Sequence, residues 1–283
     1  MLKLEREDFQ ILKAIESQTL KYQYLPTAAV SNLTNIHIQM ARHHLKKLHK
    51  QKLLTYRSTP YEGYKLTASA HDVLALHSLV ASGVIEKFGK PLGVGKESDV
   101  YDALTSDGRQ VAVKIHRLGR TSFRDVKRKR GYTAEYAYTP NWHKRSAIAA
   151  KKEFKALKIL EPHRVAAPKP LARSRHILVM SMIEGAELYR HPEIPNPRVV
   201  LDEILENVRL SYQKAQIVHA DLSPYNIILK PDMHILVIDW PQYVRTDHPN
   251  AENLLRRDLD RVLKFFKHSK TPTLRAALTY VKM

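Results

Sequence analysis

The sequence predicts an α+β protein in two parts: a small helical unit carrying a two-stranded hairpin, then a larger domain of two lobes. Three observations predict it. The 283 residues leave room for two domains, or for one large domain with an appendage. Residues 1–82 hold three amphipathic helical segments and two short strand-like pieces, and residues 83–283 begin with apolar alternation typical of strands. Residues 219–240, HADLSPYNIILKPDMHILVIDW, set Asp221, Asn226 and Asp239 at the ends of short apolar runs.

The N-terminal elements follow from periodicity. Residues 4–20 read as one amphipathic helix, 26–33 as a short second and 36–53 as a third, with Met40, Leu45, Leu48 and Leu53 apolar between basic residues. LLTYRS and GYKLT flank the turn TPYEG and read as a hairpin. Three helices and a two-stranded wing make a winged helix. Its third helix is the element that enters a groove or rides a phosphate backbone, so Arg42, His43, Lys46, Lys47 and Lys50 are expected on its exposed side, with Arg57, Tyr61 and Lys65 on the wing. Residues 67–79 read as a connecting helix capped by Thr67 or Ser69, leading through Ser82 and Gly83 to the larger domain.

The first lobe is expected over about 83–180. LGVGKESDV places Gly93 and Gly95 in a hairpin where backbone N–H groups, with Lys96, Glu97, Ser98 and Val100 around them, can approach phosphate oxygens. Ser98 stands where a G-x-G-x-x-G loop has its third glycine, so its Cβ limits how the hairpin bends. VAVKIHR is an alternating strand carrying Lys114, and a lysine aimed from a buried strand into a cleft needs anionic partners. Glu153, within the helical stretch 146–160 whose apolar stripe is Ile148, Phe154, Leu157 and Leu160, is the candidate partner. Residues 117–146 are too polar for a strand and too long for a simple connection, and read as a flexible insertion with a basic cluster, Arg124 and Lys127 to Arg130, and the hydroxyls of Thr121, Ser122 and Thr133 as phosphate acceptors.

HILVMSMIEGAEL, 176–188, reads as a buried strand running into Gly185, the hinge before a second lobe over about 184–283. There Ser181 and Ile183 would offer backbone groups to an adenine edge, with Met180 behind it. Residues 201–215 form the helix before the 219–226 loop.

The chemistry lies in that loop. In a protein-kinase site one Asp orients or deprotonates the acceptor hydroxyl, an Asn five residues later holds one Mg²⁺, and a second Asp beyond a short hairpin holds the other. Asp221, Asn226 and Asp239 match this spacing, with Lys230, Pro231 and Asp232 as the turn between. Trp240 and Pro241 stand where D-F-G has Phe and Gly, and Pro241 removes the backbone freedom a flipping aspartate needs. Only a short stretch separates them from the helix of 252–267, with no A-P-E, so a platform for a peptide substrate is missing.

Composition bounds the setting. No cysteine is present, which excludes disulfides, thiolate metal sites and cysteine nucleophiles and points to a reducing, cytoplasmic compartment. No apolar run approaches the ~18 residues of a spanning helix, and MLKLERED does not read as a secretory signal. A net charge of +19 implies a polyanionic partner, nucleic acid before membrane.

GKESDVY, HADLSPYN and IDWPQ behind an N-terminal winged helix resemble the RIO family of atypical protein kinases, specifically its second subfamily. The resemblance spans essentially the whole chain and implies a bilobal kinase fold, ATP with Mg²⁺ or Mn²⁺, and a role in maturing the small ribosomal subunit, whose precursor and RNA would be the partners. It implies that Asp221 is the catalytic base, that Asn226 and Asp239 bind metal and that Lys114 binds phosphates. It also implies that ATP hydrolysis matters more than protein phosphorylation, through a transient phosphoryl group on the metal-binding aspartate. The ending TPTLRAALTYVKM resembles the compact form of the family. Two other readings share part of the pattern: a small-molecule phosphotransferase of the aminoglycoside or choline type, which also carries H-x-D-x-x-x-x-N followed by I-D-W, and a winged-helix module that only senses nucleotide.

Overall fold

The computed structural model describes residues 3–118, 142–191, 193–267 and 271–283. The basic cluster and hydroxyls expected between Leu118 and Trp142 lie outside the described residues. The chain divides into two compact units, Met1–Ser82 and Gly83–Met283.

In the first unit, helices α1 (Arg6–Ser17), α2 (Thr27–Thr34) and α3 (Ile38–Lys50) precede the wing strands β1 (Leu54–Arg57) and β2 (Gly63–Leu66), and α4 (Ala68–Ala81) closes the unit. The wing strands pair antiparallel, Leu54 opposite Leu66, and Leu25 adds a bridge to Tyr64. Leu12, Ile15, Val30, Leu45, Leu48 and Leu74 fill the core. The Thr67 hydroxyl caps α4, accepting from the Ala70 N–H at 3.4 Å.

Two assignments on α3 change. Met40, at an apolar position of the sequence pattern, is 52% exposed, while Ala41, His44, Leu45 and Leu48 form the buried face. Lys47 is not a free surface cation: its Nζ donates to Asp8 at 2.8 Å and lies 3.3 Å from Glu5. Asp8 is fully buried on α1, and its other oxygen lies 2.7 Å from His44 Nδ1. Burial alone would raise this carboxyl, but the Glu5 N–H, Lys47 and His44 hold it below its ordinary value. The pair α1–α3 is thereby locked through a buried acid, and His43, Lys46 and Lys50 are left as the exposed basic side of α3.

The second unit opens with a five-stranded antiparallel sheet in the order β3-β4-β5-β7-β6, formed by β3 (Lys87–Val94), β4 (Ser98–Leu104), β5 (Gln110–His116), β6 (Pro170–Ser174) and β7 (Ile177–Ser181). Helix α5 (Trp142–Leu160) packs on it, so the last residues of the expected insertion are helical. Its buried face is His143, Ser146, Ala149, Ala150, Glu153, Ala156, Leu157 and Leu160, whereas Ile148 and Phe154 are only half-buried. The stripe is thus rotated toward small residues, which lets the helix approach the sheet closely and turns Glu153 inward.

Strand β7 ends at Ser181, short of the expected run into Gly185, and the chain crosses to the second lobe through residues 182–185. Gly185 has φ +111, and a Cβ there would lie 2.3 Å from the Leu229 carbonyl oxygen, so only glycine fits. The second lobe contains β8 (Ala186–Glu187), α6 (Pro197–Gln213), β9 (Ile217–Val218), β10 (Ile227–Leu229), β11 (Ile235–Val237), β12 (Val244–Arg245), α7 (Ala251–Phe265) and α8 (Leu274–Lys282). Strand β10 pairs with β11, Ile228 opposite Leu236, and with β8, while β9 pairs with β12. These short ladders clamp the 219–226 loop and the segment around Asp239 between α6 and α7.

Candidate active site

Lys114 and Glu153 meet because strand alternation and helix rotation turn both inward. Lys114 Nζ donates to Glu153 Oε1 at 2.7 Å and, from the other lobe, to Asp239 Oδ1 at 2.9 Å. Lys114 and Glu153 are buried, while the Asp239 side chain is 39% exposed toward the cleft. Burial would lower the Lys114 ammonium, but Asp239 and Glu153 hold it above its ordinary value. Burial would raise the Asp239 carboxyl, but the ammonium overrides it and holds it at about 2. Glu153 is likewise held down, against its burial, by Lys114 and by His116, whose Nε2 lies 2.9 Å from the second carboxylate oxygen. His116 was not singled out in the sequence, although it sits two residues from Lys114 and so on the same strand face.

The 219–226 loop is held from several sides. His219 Nε2 donates to the Ile238 carbonyl at 2.9 Å, and the Asp221 N–H donates to His219 Nδ1 at 3.2 Å. Both bonds together require the neutral Nε2–H tautomer, and burial pushes the His219 pKa down in agreement. Asn226 Nδ2 donates to the Asp221 carbonyl at 2.8 Å, and the Ile238 N–H donates to the Asn226 carbonyl at 3.0 Å. Asp239 has φ +65, in the left-handed region. Trp240 is buried, donates from Nε1 to the Val237 carbonyl at 3.0 Å and packs at a tilt of 52° against His219, with ring centroids 4.5 Å apart. The residue after Asp239 is therefore anchored in the core.

Helix α7 contributes groups that the sequence reading passed over. Asp258, buried, accepts the Ala220 N–H at 2.7 Å; Arg257 donates from Nη2 to the Ala220 carbonyl; Arg261 donates from Nη1 to Asp221 Oδ1 at 3.0 Å. Burial raises the Asp258 carboxyl to about 7. The available signal was the helical stripe itself: position 258 lies on the buried face with Leu254, Leu255, Leu259 and Val262.

The glycine hairpin places Gly93 opposite Val100 and turns over 95–97, where the Gly95 N–H donates to the Ser98 carbonyl at 2.9 Å. A Cβ on Gly93 would meet nothing within 4 Å, which leaves open space above the strand, whereas one on Gly95 would lie 3.1 Å from the Ser98 oxygen. Lys96 is exposed, and the Glu97 carbonyl accepts the Arg117 N–H at 2.6 Å. Ser98 pairs with His116 and Val100 with Lys114 across β4 and β5. At the hinge, the Ser181 N–H, expected to face an adenine edge, instead donates to the Lys169 carbonyl at 2.8 Å. Met180 is buried in the core beside Ala112.

The donor set suits Mg²⁺. Asn226 spends its amide N–H on the loop and keeps its Oδ1, and Asp239 spends one oxygen on Lys114 and keeps the other. Two hard oxygens with room for water and phosphate oxygens are what this ion requires.

Comparison with known proteins agrees with this geometry. The RIO domain model matches residues 99–278, and the Rio2 N-terminal domain model matches residues 1–82. The chain is 39% identical over 231 residues to the RIO-type serine/threonine-protein kinase Rio2 of Methanocaldococcus jannaschii, covering 80% of this chain and 83% of that one. It is 34% identical over 264 residues to the serine/threonine-protein kinase rio2 of Dictyostelium discoideum, covering 93% of this chain but 50% of that one, so it spans about half that relative's length. The crystal structure of the Rio2 kinase–ADP/Mg²⁺–phosphoaspartate complex from Chaetomium thermophilum superposes with a TM-score of 0.82 at 30% identity, covering 98% of this chain and 86% of that one. With both domain models matched, and with Lys114, Glu153, Asp221, Asn226 and Asp239 gathered in one cleft, the chain belongs to the Rio2 family of atypical serine/threonine-protein kinases.

Proposed function

We propose that this protein is an ATP-dependent phosphotransferase whose working activity is ATP hydrolysis coupled to a step in maturation of the small ribosomal subunit in the cytoplasm. The observation that carries the reading is Lys114 bridging Glu153 and Asp239 across the lobes, because it places a buried cation at the mouth of a cleft that also holds Asp221 and Asn226. Mg²⁺–ATP would supply the transferable phosphoryl group and the charge that neutralises it. Lys114 would bind phosphate oxygens, Asn226 and Asp239 would hold the metal, and Asp221 would take the proton of an attacking water. The Chaetomium protein carries a phosphoaspartate beside ADP and Mg²⁺. We assign the equivalent transient phosphoryl group here to Asp239, which the buried Trp240 keeps from swinging away.

The winged helix supplies the partner side. His43, Lys46 and Lys50 on α3 and Lys65 on the wing are exposed and sit on a chain of net charge +19, which supports contact with the RNA of a subunit precursor. The test follows the label of γ-labelled ATP with and without small subunits, in wild type and in Asp221→Asn and Asp239→Asn. Free phosphate stimulated by subunits and lost in both variants is the expected result. Stable label on a protein acceptor would replace the hydrolytic reading with a kinase one, and absence of turnover would leave only a nucleotide-sensing module.

A further inference from the structure

The loop that carries Asp221, HADLSPYN, contains no lysine or arginine, so the loop itself offers no cation to a phosphoryl group in transit. Phosphoryl transfer is catalysed chiefly by positioning and by positive charge fixed where negative charge accumulates. A cation reaches the Asp221 carboxylate from α7 instead. Arg261 Nη1 donates to Asp221 Oδ1 at 3.0 Å, and among the described residues this is its one ion pair. Its side chain and that of Asp221 are both about two-fifths exposed, at 40% and 42%, so the pair is accessible rather than sealed in the core.

The placement is rigid. Three side chains of α7 hold the loop at successive points: Arg257 on the Ala220 carbonyl, Asp258 on the Ala220 N–H at 2.7 Å, and Arg261 on the Asp221 carboxylate. Residues 257, 258 and 261 share one helix face by their spacing, and α7 is anchored behind them by Leu254, Leu255, Leu259 and Val262. A guanidinium presents five donors in a fixed plane, and one of them is used on Asp221 Oδ1. The remaining donors, and Asp221 Oδ2, stay available to an incoming group.

Resting on the reading of this cleft as a phosphotransferase site, we propose that Arg261 is a positioning residue for phosphoryl transfer, which fixes the Asp221 carboxylate and supplies from α7 the positive charge that the 219–226 loop lacks. The acceptor, a water or a carboxylate, forms the new bond to phosphorus while the bond to the ADP oxygen breaks. The electron pair leaves on ADP, and a proton on an attacking water passes to Asp221 Oδ2. Arg261 acts on this step and not on nucleotide capture, which belongs to Lys114 and the glycine hairpin.

The experiment compares wild type, Arg261→Ala, Arg261→Lys and, as a control on the exposed face of the same helix, Arg256→Ala. Single-turnover ATP hydrolysis, affinity for a fluorescent ADP and thermal unfolding are measured for each, with and without added guanidinium at millimolar concentration. Arg261→Ala is expected to slow turnover by about 10²-fold, with nucleotide affinity within about twofold of wild type. Guanidinium should restore part of the rate, Arg261→Lys should fall between, and Arg256→Ala should match wild type. Unchanged or faster turnover in Arg261→Ala overturns the proposal. So does a slower rate accompanied by an equal loss of nucleotide affinity and thermal stability, which would make the arginine a structural strut. A wild type that binds ADP but turns over no ATP defeats the phosphotransferase reading itself, a result distinct from either of these.

Discussion

Replacing Asp258 by Asn tests the internal electrostatics that hold the 219–226 loop. The Asp258 side chain is 2% exposed, one oxygen accepts the Ala220 N–H, and the other is buried without a hydrogen-bond partner among the described residues. Burial raises the carboxyl from 3.8 to about 7 despite Arg257 nearby. At about 1.4 kcal/mol per pH unit, ionising it within the fold costs about 4 kcal/mol. Because the folded value lies above the unfolded one, the native state binds this proton more tightly, so its contribution to stability is greatest at low pH and is lost as pH rises toward about 7. Between about pH 5.5 and pH 7 that loss amounts to about 2 kcal/mol. Asn keeps an acceptor for the Ala220 N–H and carries no charge, so Asp258→Asn should lack this slope and be at least as stable as wild type at about pH 8. Urea denaturation of both proteins across this range measures the difference, and the opposing titration of the buried His219 cancels in the subtraction. A wild-type-minus-variant difference that changes by less than about 0.5 kcal/mol, or that grows in favour of wild type as pH rises, refutes the reasoning.

Three further outcomes are expected. Asp8→Ala should destabilise the winged helix by about 3 kcal/mol, since it strands the buried His44 and leaves Lys47 only Glu5; the wild-type contribution, present above the ordinary carboxyl value, should fade as pH drops through the lower folded value, as read by denaturation of the full chain. Glu153→Gln removes one of the two charges on Lys114 and the partner of His116, and should weaken fluorescent-ADP binding by about tenfold; unchanged binding would mean that this pair does not position the lysine. Gly185→Ala places a Cβ against the Leu229 oxygen at φ +111 and should cost about 2 kcal/mol or more, seen as a lowered thermal midpoint, whereas an unchanged midpoint would show that the hinge is not packed as described.

Much of the site was legible because its signals are local. Asp221, Asn226 and Asp239 are bound by spacing within one β-loop-β passage, and Lys114 by alternation along one strand, so period and turn chemistry suffice. The errors fall where a partner is distant in the chain. Lys47 and His43 look alike on α3, and only Asp8, on another helix, makes the one a structural cation and leaves the other exposed. Glu153 was expected to meet Lys114 and does, but Ile148 and Phe154, assigned to the apolar stripe, are only half-buried because α5 turns its small-residue face to the sheet.

By itself, then, the sequence determined the two-part architecture, the order of elements, the spacing of Asp221, Asn226 and Asp239 and the basic character of the chain, because each rests on residue type and short-range period. The tertiary structure decided which charges are paired, with whom and how deeply: Lys114 with Glu153 and Asp239, Asp8 with His44 and Lys47, and the α7 residues Arg257, Asp258 and Arg261 with the loop at 220–221. The physical reason is that an ion pair depends on distance in space and on local burial, and neither is encoded by position along the chain.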